Sequence, residues 1–225
     1  MKKAIFAAVA AWTLVSLIGC NHRSNVDSLQ PVQAELKPMQ QSWRGILPCA
    51  DCEGIETSLF LEKDGSWVMN LHYLGTADKN ASFATYGTWA RTADKLVLTD
   101  AQGEKSYYHV KGNALEMLDS EGQPVASQFN RTLTPVTASL PVTPMAMRGM
   151  YSPGQFTDCS TGQRLAVVPN AQLEHDYSAT GVTGNRPLLL TMDAHYTMQV
   201  KSGNEIKAIA ADKAIAFSTN EKCGD

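Results

Sequence analysis

Apolar and polar positions alternate along much of the chain. Ile55, Thr57, Leu59 and Leu61 share one face of an extended segment, and Glu56, Ser58 and Glu62 take the other. Asp64-Gly65 then reverses the chain into Trp67, Met69, Leu71 and Tyr73, the signature of a β-hairpin. Turn residues recur about every 8 to 12 positions, at Gly75, Asp94, Gly103, Gly112-Asn113 and Glu121-Gly122. The runs between them predict strands at 44–47, 56–62, 67–73, 83–89, 95–99, 105–110, 115–118 and Val125 to Phe129. Eight strands suffice to close an up-and-down β-barrel, which leaves no exposed sheet edge. Such a barrel has room for one small ligand, with Phe83, Tyr86 and Trp89 as its candidate lining, but strands this short favour an interior filled by side chains.

A break follows at 135–144, where Pro135, Pro141 and Pro144 interrupt a Thr/Ser-rich stretch. The pattern therefore divides into a first domain at 42–134, a Pro-rich linker at 135–144 and a second domain at 145–225. In the second, 148–151 and 164–168 read as strands and 171–179 as a short helix beginning after Asn170. Pro187 to Met192 and His195 to Val200 read as a hairpin, whereas the Ala-rich run from Ile206 to Phe217 is open to either strand or helix. Five strands with one helix suit a small OB-type barrel. The fold class is all-β.

The N-terminus has a different pattern. Lys2 and Lys3 precede an uncharged run from Ala4 to Gly19, the charged, apolar, small-residue order of a secretory signal. Its sixteen residues fall short of the roughly 20 needed to span hydrocarbon, so residues 1–19 read as a cleaved signal peptide. Leu17-Ile18-Gly19-Cys20 resembles a bacterial lipobox, whose cysteine is acylated and becomes the mature N-terminus. Two chemical anchors hold where one acyl chain binds only marginally. Asn21 stands where an aspartate typically retains such lipoproteins in the inner membrane, so this resemblance implies the outer membrane. Residues 20–41, polar and carrying Pro31 and Pro38, read as a lipidated tether with about 25 Å of typical reach.

Composition narrows the function. The 225 residues are 44% hydrophobic and 18% charged, as in an ordinary folded protein. The formal net charge is -3, and loss of the first nineteen residues, with two lysines and no acid, takes it to -5. Lysine and arginine are scattered, which excludes the clustered basic face of a nucleic-acid partner.

Chemistry concentrates in five cysteines. With Cys20 acylated, Cys49, Cys52, Cys159 and Cys223 remain in an oxidising compartment, and pairing within each domain joins 49 to 52 and 159 to 223. A 159–223 bond closes a 64-residue loop, for which chain entropy gives roughly 4 kcal/mol. It is either a structural staple or a reporter of oxidative folding. Cys49-Ala50-Asp51-Cys52 has three readings: a redox pair, a metal site or a local disulfide. Thioredoxin-like chemistry is disfavoured, because Glu53-Gly54 leads into a strand and not into a helix N-terminus. Two thiolates at Cys49 and Cys52 would suit Cu(I), a soft ion, whereas structural zinc usually takes four ligands. The oxidising compartment and the neighbouring Asp51 and Glu53 favour the disulfide. Met145, Met147 and Met150 cluster without ligand spacing, and His72, His109, His175 and His195 are isolated. Neither Gly-x-Ser-x-Gly nor His-Glu-x-x-His is present, and the pattern reads as a non-enzyme requiring no cofactor.

The lipobox, the segment from Trp43 to Thr57 (WRGILPCADCEGIET), Tyr86-Gly87-Thr88-Trp89, Arg148 to Tyr151 and Phe156 to Cys159 together closely resemble the NlpE family of outer-membrane lipoproteins, also described as copper homeostasis proteins. The resemblance runs from the lipobox to about Phe129 and resumes at Arg148, with little matched between Tyr196 and Ala216. It implies a lipocalin-like N-terminal barrel followed by an OB-fold domain, and both cysteine pairs carry over by position. It also implies a protein that activates the Cpx envelope-stress response through a sensor histidine kinase, with surface adhesion, failed lipoprotein sorting and copper as inputs; the Cys159/Cys223 pair adds failed disulfide formation as a further expected input. The implied partners are that kinase, the lipoprotein sorting machinery and outer-membrane lipid at Cys20, with the folded part facing the periplasm.

Overall fold

The structure is a computed structural model that describes residues 41–77, 82–140 and 142–224. The expected signal peptide, the acylated Cys20 and residues 20–40 of the tether lie outside the described residues.

Strands β1 (Gln41–Leu47), β2 (Gly54–Leu61), β3 (Ser66–Leu74), β4 (Ser82–Arg91), β5 (Lys95–Asp100), β6 (Lys105–Lys111), β7 (Ala114–Met117) and β8 (Thr132–Val136) form a closed barrel. Each pairs antiparallel with the next, and β8 returns to β1 with Ser42 opposite Val136, Trp43 opposite Pro135 and Arg44 opposite Thr134. The alternation seen in sequence fills the interior. Leu59 lies opposite Met69 and Leu61 opposite Trp67, and these four side chains join Leu96, Leu98 and Tyr108 in one buried cluster. The filled interior leaves the expected aromatic lining elsewhere. Phe83 is exposed and stacks on Tyr73, Tyr86 is buried outside the barrel's own core, and Trp89 packs partly buried against it.

The eighth strand differs from expectation. Val125 to Phe129 is an exposed loop, and Thr132–Val136 closes the barrel in its place. Asp119 accepts the amides of Glu121 and Gln123 in a tight turn, and Asn130 Nδ2 donates to the carbonyls of Ile46 and Thr132, so local hydrogen bonds hold the segment off the sheet. Pro135, which reads as a linker residue, stands inside the closing strand, so β8 runs past position 134.

The second barrel comprises β9 (Met145–Ser152), β10 (Gln155–Asp158), β11 (Arg164–Val167), β12 (Leu188–Lys201) and β13 (Asn204–Ser218), closed in the order β10-β11-β13-β12-β9 with β11 and β13 parallel. Helix α1 (Ala171–Ala179) begins where sequence places it. Asn170 caps it by accepting the Leu173 amide at 3.0 Å, and Leu173 and Tyr177 are its buried face. The hairpin expected within 187–200 is instead one strand: β12 passes through Asp193-Ala194 with two register shifts and turns only at Ser202-Gly203. Both turn residues have positive φ, 51° and 80°, the geometry that matches strand twist in a two-residue hairpin loop. The ambiguous Ile206 to Phe217 run is β-strand, paired along its length with β12.

Candidate functional site

The Cys49-Ala50-Asp51-Cys52 segment forms the loop between β1 and β2. Its cysteines are joined as a disulfide with Cα atoms 5.4 Å apart, and Ala50, Asp51 and Glu53 are exposed. Gly54 starts β2 directly, so no helix N-terminus faces either sulfur. A disulfide sulfur is no thiolate, the form in which cysteine ligates a soft ion. Among the described residues no group of three or more His, Cys, Asp or Glu stands where it could hold a metal ion.

Cys159 and Cys223 form the second disulfide, Cα atoms 5.2 Å apart, across 64 positions of chain. It ties the turn after β10 to the segment that follows β13. Each pair lies within one barrel's own stretch of sequence and outside its buried apolar cluster.

A third feature was not identified by sequence reasoning: the junction of the barrels. Phe60, Val68 and Tyr86 point outward from β2, β3 and β4, yet belong to one apolar cluster with Met147, Tyr151 and Tyr196 of the second barrel. The Tyr86 hydroxyl donates to Asp158 Oδ2 at 2.6 Å, and the Tyr196 ring meets Tyr86 edge-on with centroids 6.4 Å apart. Burial, reinforced by the Asp158 carboxylate, pushes the Tyr86 phenol far above the ordinary tyrosine range. Lys207 of β13 reaches Glu62 Oε2 at 2.7 Å, Asp64 Oδ2 at 3.3 Å and Ser66 Oγ at 3.3 Å, with its ammonium 4.0 Å above the Tyr196 ring. Burial raises the Glu62 carboxyl even against the attraction of Lys207, and Glu62 Oε1 and the Tyr196 hydroxyl are buried without a hydrogen-bond partner. The available signal was continuous apolarity: Leu59-Phe60-Leu61 and Trp67-Val68-Met69 offer apolar side chains to both faces of their strands, the mark of two-sided burial.

Two other features stay within single barrels. His195 Nδ1 lies 2.9 Å from Asp212 Oδ2, and its Nε2 is buried with no partner. A cavity of about 330 Å³ opens beside β1 and β8, between Trp43, Arg91, Val110, Leu115, Pro135 and Val136. No helix among the described residues is long and apolar enough to cross a membrane.

Comparison with known proteins matches both barrels. Residues 43–128 fit the model of the NlpE N-terminal domain and residues 141–224 that of the NlpE C-terminal OB domain. Lipoprotein NlpE of Escherichia coli (strain K12) is 57% identical over 230 residues, covering 99% of this chain and 98% of that protein. Among solved structures, that of the Cpx pathway activator NlpE from Escherichia coli is 56% identical, covering 83% of this chain and all of that one, with a TM-score of 0.38. A lipoprotein structure from Shewanella oneidensis is 33% identical over 42% of this chain and 86% of its own, with a TM-score of 0.36.

Proposed function

This chain belongs to the NlpE family, and from that premise we propose that it is a lipid-anchored sensor that activates the Cpx envelope-stress response without catalysing a reaction. The observation that carries the reading is identity of 57% over nearly the whole chain with lipoprotein NlpE, lipobox included. Acylated Cys20 sets the location at the outer membrane, residues 20–41 set the reach, and the two barrels present a surface to the inner-membrane sensor kinase. Failed lipoprotein sorting, surface adhesion, failed disulfide formation and copper are its stimuli. Location acts by concentration: a sensor held in the kinase's own membrane meets it far more often than one anchored across the periplasm.

The test alters the anchor alone. A Cpx-responsive reporter is measured in cells carrying the parent chain, Asn21→Asp and Cys20→Ala. Several-fold higher signalling is expected from Asn21→Asp, with the protein recovered in the inner-membrane fraction. Baseline signalling from both variants, each present at parental level, would remove the proposal.

A further inference from the structure

The alternation that builds the first barrel breaks its own rule at one position. On β4, Gly87 lies opposite the buried Trp67, and Trp89, two residues on, packs against the same buried cluster. These are the inward-facing positions of the strand, and the next of them is Arg91. A core-facing position thus carries a guanidinium at the barrel mouth, where Arg91 lines the cavity of about 330 Å³. Breaks of this kind in an otherwise consistent pattern are expected where function requires them.

The remaining walls suit a particular chemistry. The floor is apolar: Trp43 and Leu115 belong to the buried cluster, and Val110 packs against it. It is also closed, since Leu59, Leu96 and Leu98 fill the interior and are each at most 1% exposed. Two carbonyls at the rim are already engaged, that of Asn113 by the Trp43 indole at 2.7 Å and that of Val136 by the Ser42 hydroxyl at 2.6 Å. Among the described residues that line the cavity, Arg91 is the one with a charge, and none is an aspartate or glutamate. Asp94, in the turn after β4, accepts the Thr92 hydroxyl at 3.0 Å and is not part of the lining. A guanidinium with no carboxylate beside it, above an apolar floor, selects an anion that carries a short apolar tail.

We propose that the mouth of the first barrel is a binding site for a short-chain carboxylate. The Arg91 fork takes both carboxylate oxygens, and the tail lies on Trp43, Val110 and Leu115. The volume stands at the small end of ligand pockets, which suits an acid of about six carbons and not a membrane acyl chain. The cavity lies across the barrel's closure, with Trp43 on β1 and Pro135 on β8, so an occupant touches both strands and favours the closed barrel by mass action. None of the lining residues belongs to the junction cluster or to a disulfide, so the site stands independently of the sensor reading.

Nuclear magnetic resonance of the full-length protein in detergent tests the site, with sodium hexanoate as the probe. The Trp43 indole N–H reports the cavity floor. The Trp67 and Trp89 indoles, which donate to the carbonyls of Thr88 and Glu62, report the barrel elsewhere. Hexanoate is expected to move the Trp43 resonance saturably, with a Kd of about 1 mM or tighter, and to leave Trp67 and Trp89 in place. Acetate, which lacks the tail, and hexanamide, which lacks the charge, are each expected to bind about fivefold more weakly or worse. Arg91→Gln, at an exposed position, should weaken hexanoate by about fivefold or more and leave hexanamide as in the parent. The proposal is overturned if Trp43 shows no saturable shift up to about 20 mM hexanoate. It is overturned equally if Arg91→Gln binds hexanoate as the parent does, or if the parent binds hexanamide as tightly as hexanoate.

Discussion

Asp64 closes the β2–β3 turn and also faces the second barrel. Its Oδ1 accepts the Ser66 amide at 2.9 Å and the Ser66 hydroxyl at 2.6 Å, and its Oδ2 lies 3.3 Å from Lys207 Nζ. Burial pulls this carboxyl upward, but the Ser66 hydrogen bonds and Lys207 outweigh it and hold it below the ordinary aspartate range. A lowered native pKa stabilises the fold above the unfolded value, about 4, and that contribution is lost as pH falls through the native one. Asp64→Asn should thus lower the urea midpoint at pH 7 by the equivalent of about 0.5–1 kcal/mol, a figure discounted for partial exposure, and the gap between parent and variant should narrow as pH falls below about 4. Glu62 works in the opposite sense, since its raised pKa favours the native state at acid pH, and because the Asp64 charge contributes to that rise, the Asn variant also relieves Glu62 and the measured difference belongs to the pair. Only half of this was legible in the sequence. Asp64-Gly65 announces a turn from neighbouring residues, whereas Lys207 stands 143 positions away, and no local pattern specifies a partner at that distance.

At the scale of elements, a glycine inside β4 shows what strand patterning omits. Gly87 lies between Trp67 of β3 and Asp100 of β5, and a Cβ added there would sit 1.9 Å from the Thr99 carbonyl oxygen and 2.8 Å from the Asp100 Cα. Both obstacles are backbone, so the neighbour cannot swing aside as a side chain would. Gly87→Ala should lower stability by about 1–3 kcal/mol, the usual range for overpacking, and a shift of the denaturant midpoint at unchanged slope would check it. Strands bounded by strong turn residues, such as those around Asp64-Gly65, were legible because alternation and turn chemistry agree. Where they disagree, the reading failed for identifiable reasons. Val125 and Phe129 have strand-like spacing but belong to a segment governed by the hydrogen bonds of Asp119 and Asn130. In β12, bulges beside Met192 and Ala194 break the alternation without turning the chain. The actual turn uses Ser202 at positive φ, a position more often filled by Asn or Gly.

For the whole molecule the two disulfides differ in weight. Loop-closure entropy gives about 4 kcal/mol for the bond spanning 64 positions and about 2 kcal/mol for the one spanning three. Calorimetry should therefore show a larger fall in Tm for Cys159→Ser/Cys223→Ser than for Cys49→Ser/Cys52→Ser, on the order of 10 °C or more against a few degrees. An equal or inverted order would contradict the assignment of the second bond as the main covalent brace. The division into two barrels was legible because hydrophobic periodicity, proline placement and cysteine bookkeeping point the same way. How the barrels face each other was not, since Tyr86 and Asp158 meet across 72 positions through side chains that read as ordinary strand residues. The seam between β1 and β8 adds a mechanical property. Three residue pairs span it, one of them at Pro135, which has no N–H to give, and its outer end brings Ser42 beside Val136. The chain enters the first barrel and leaves for the second at this same edge, so once the junction between the barrels has parted, a pull between the membrane side and the second barrel loads the seam as a zip and not in shear. Its hydrogen bonds then break in succession, and under tension the first barrel yields at its closure before any interior strand is strained.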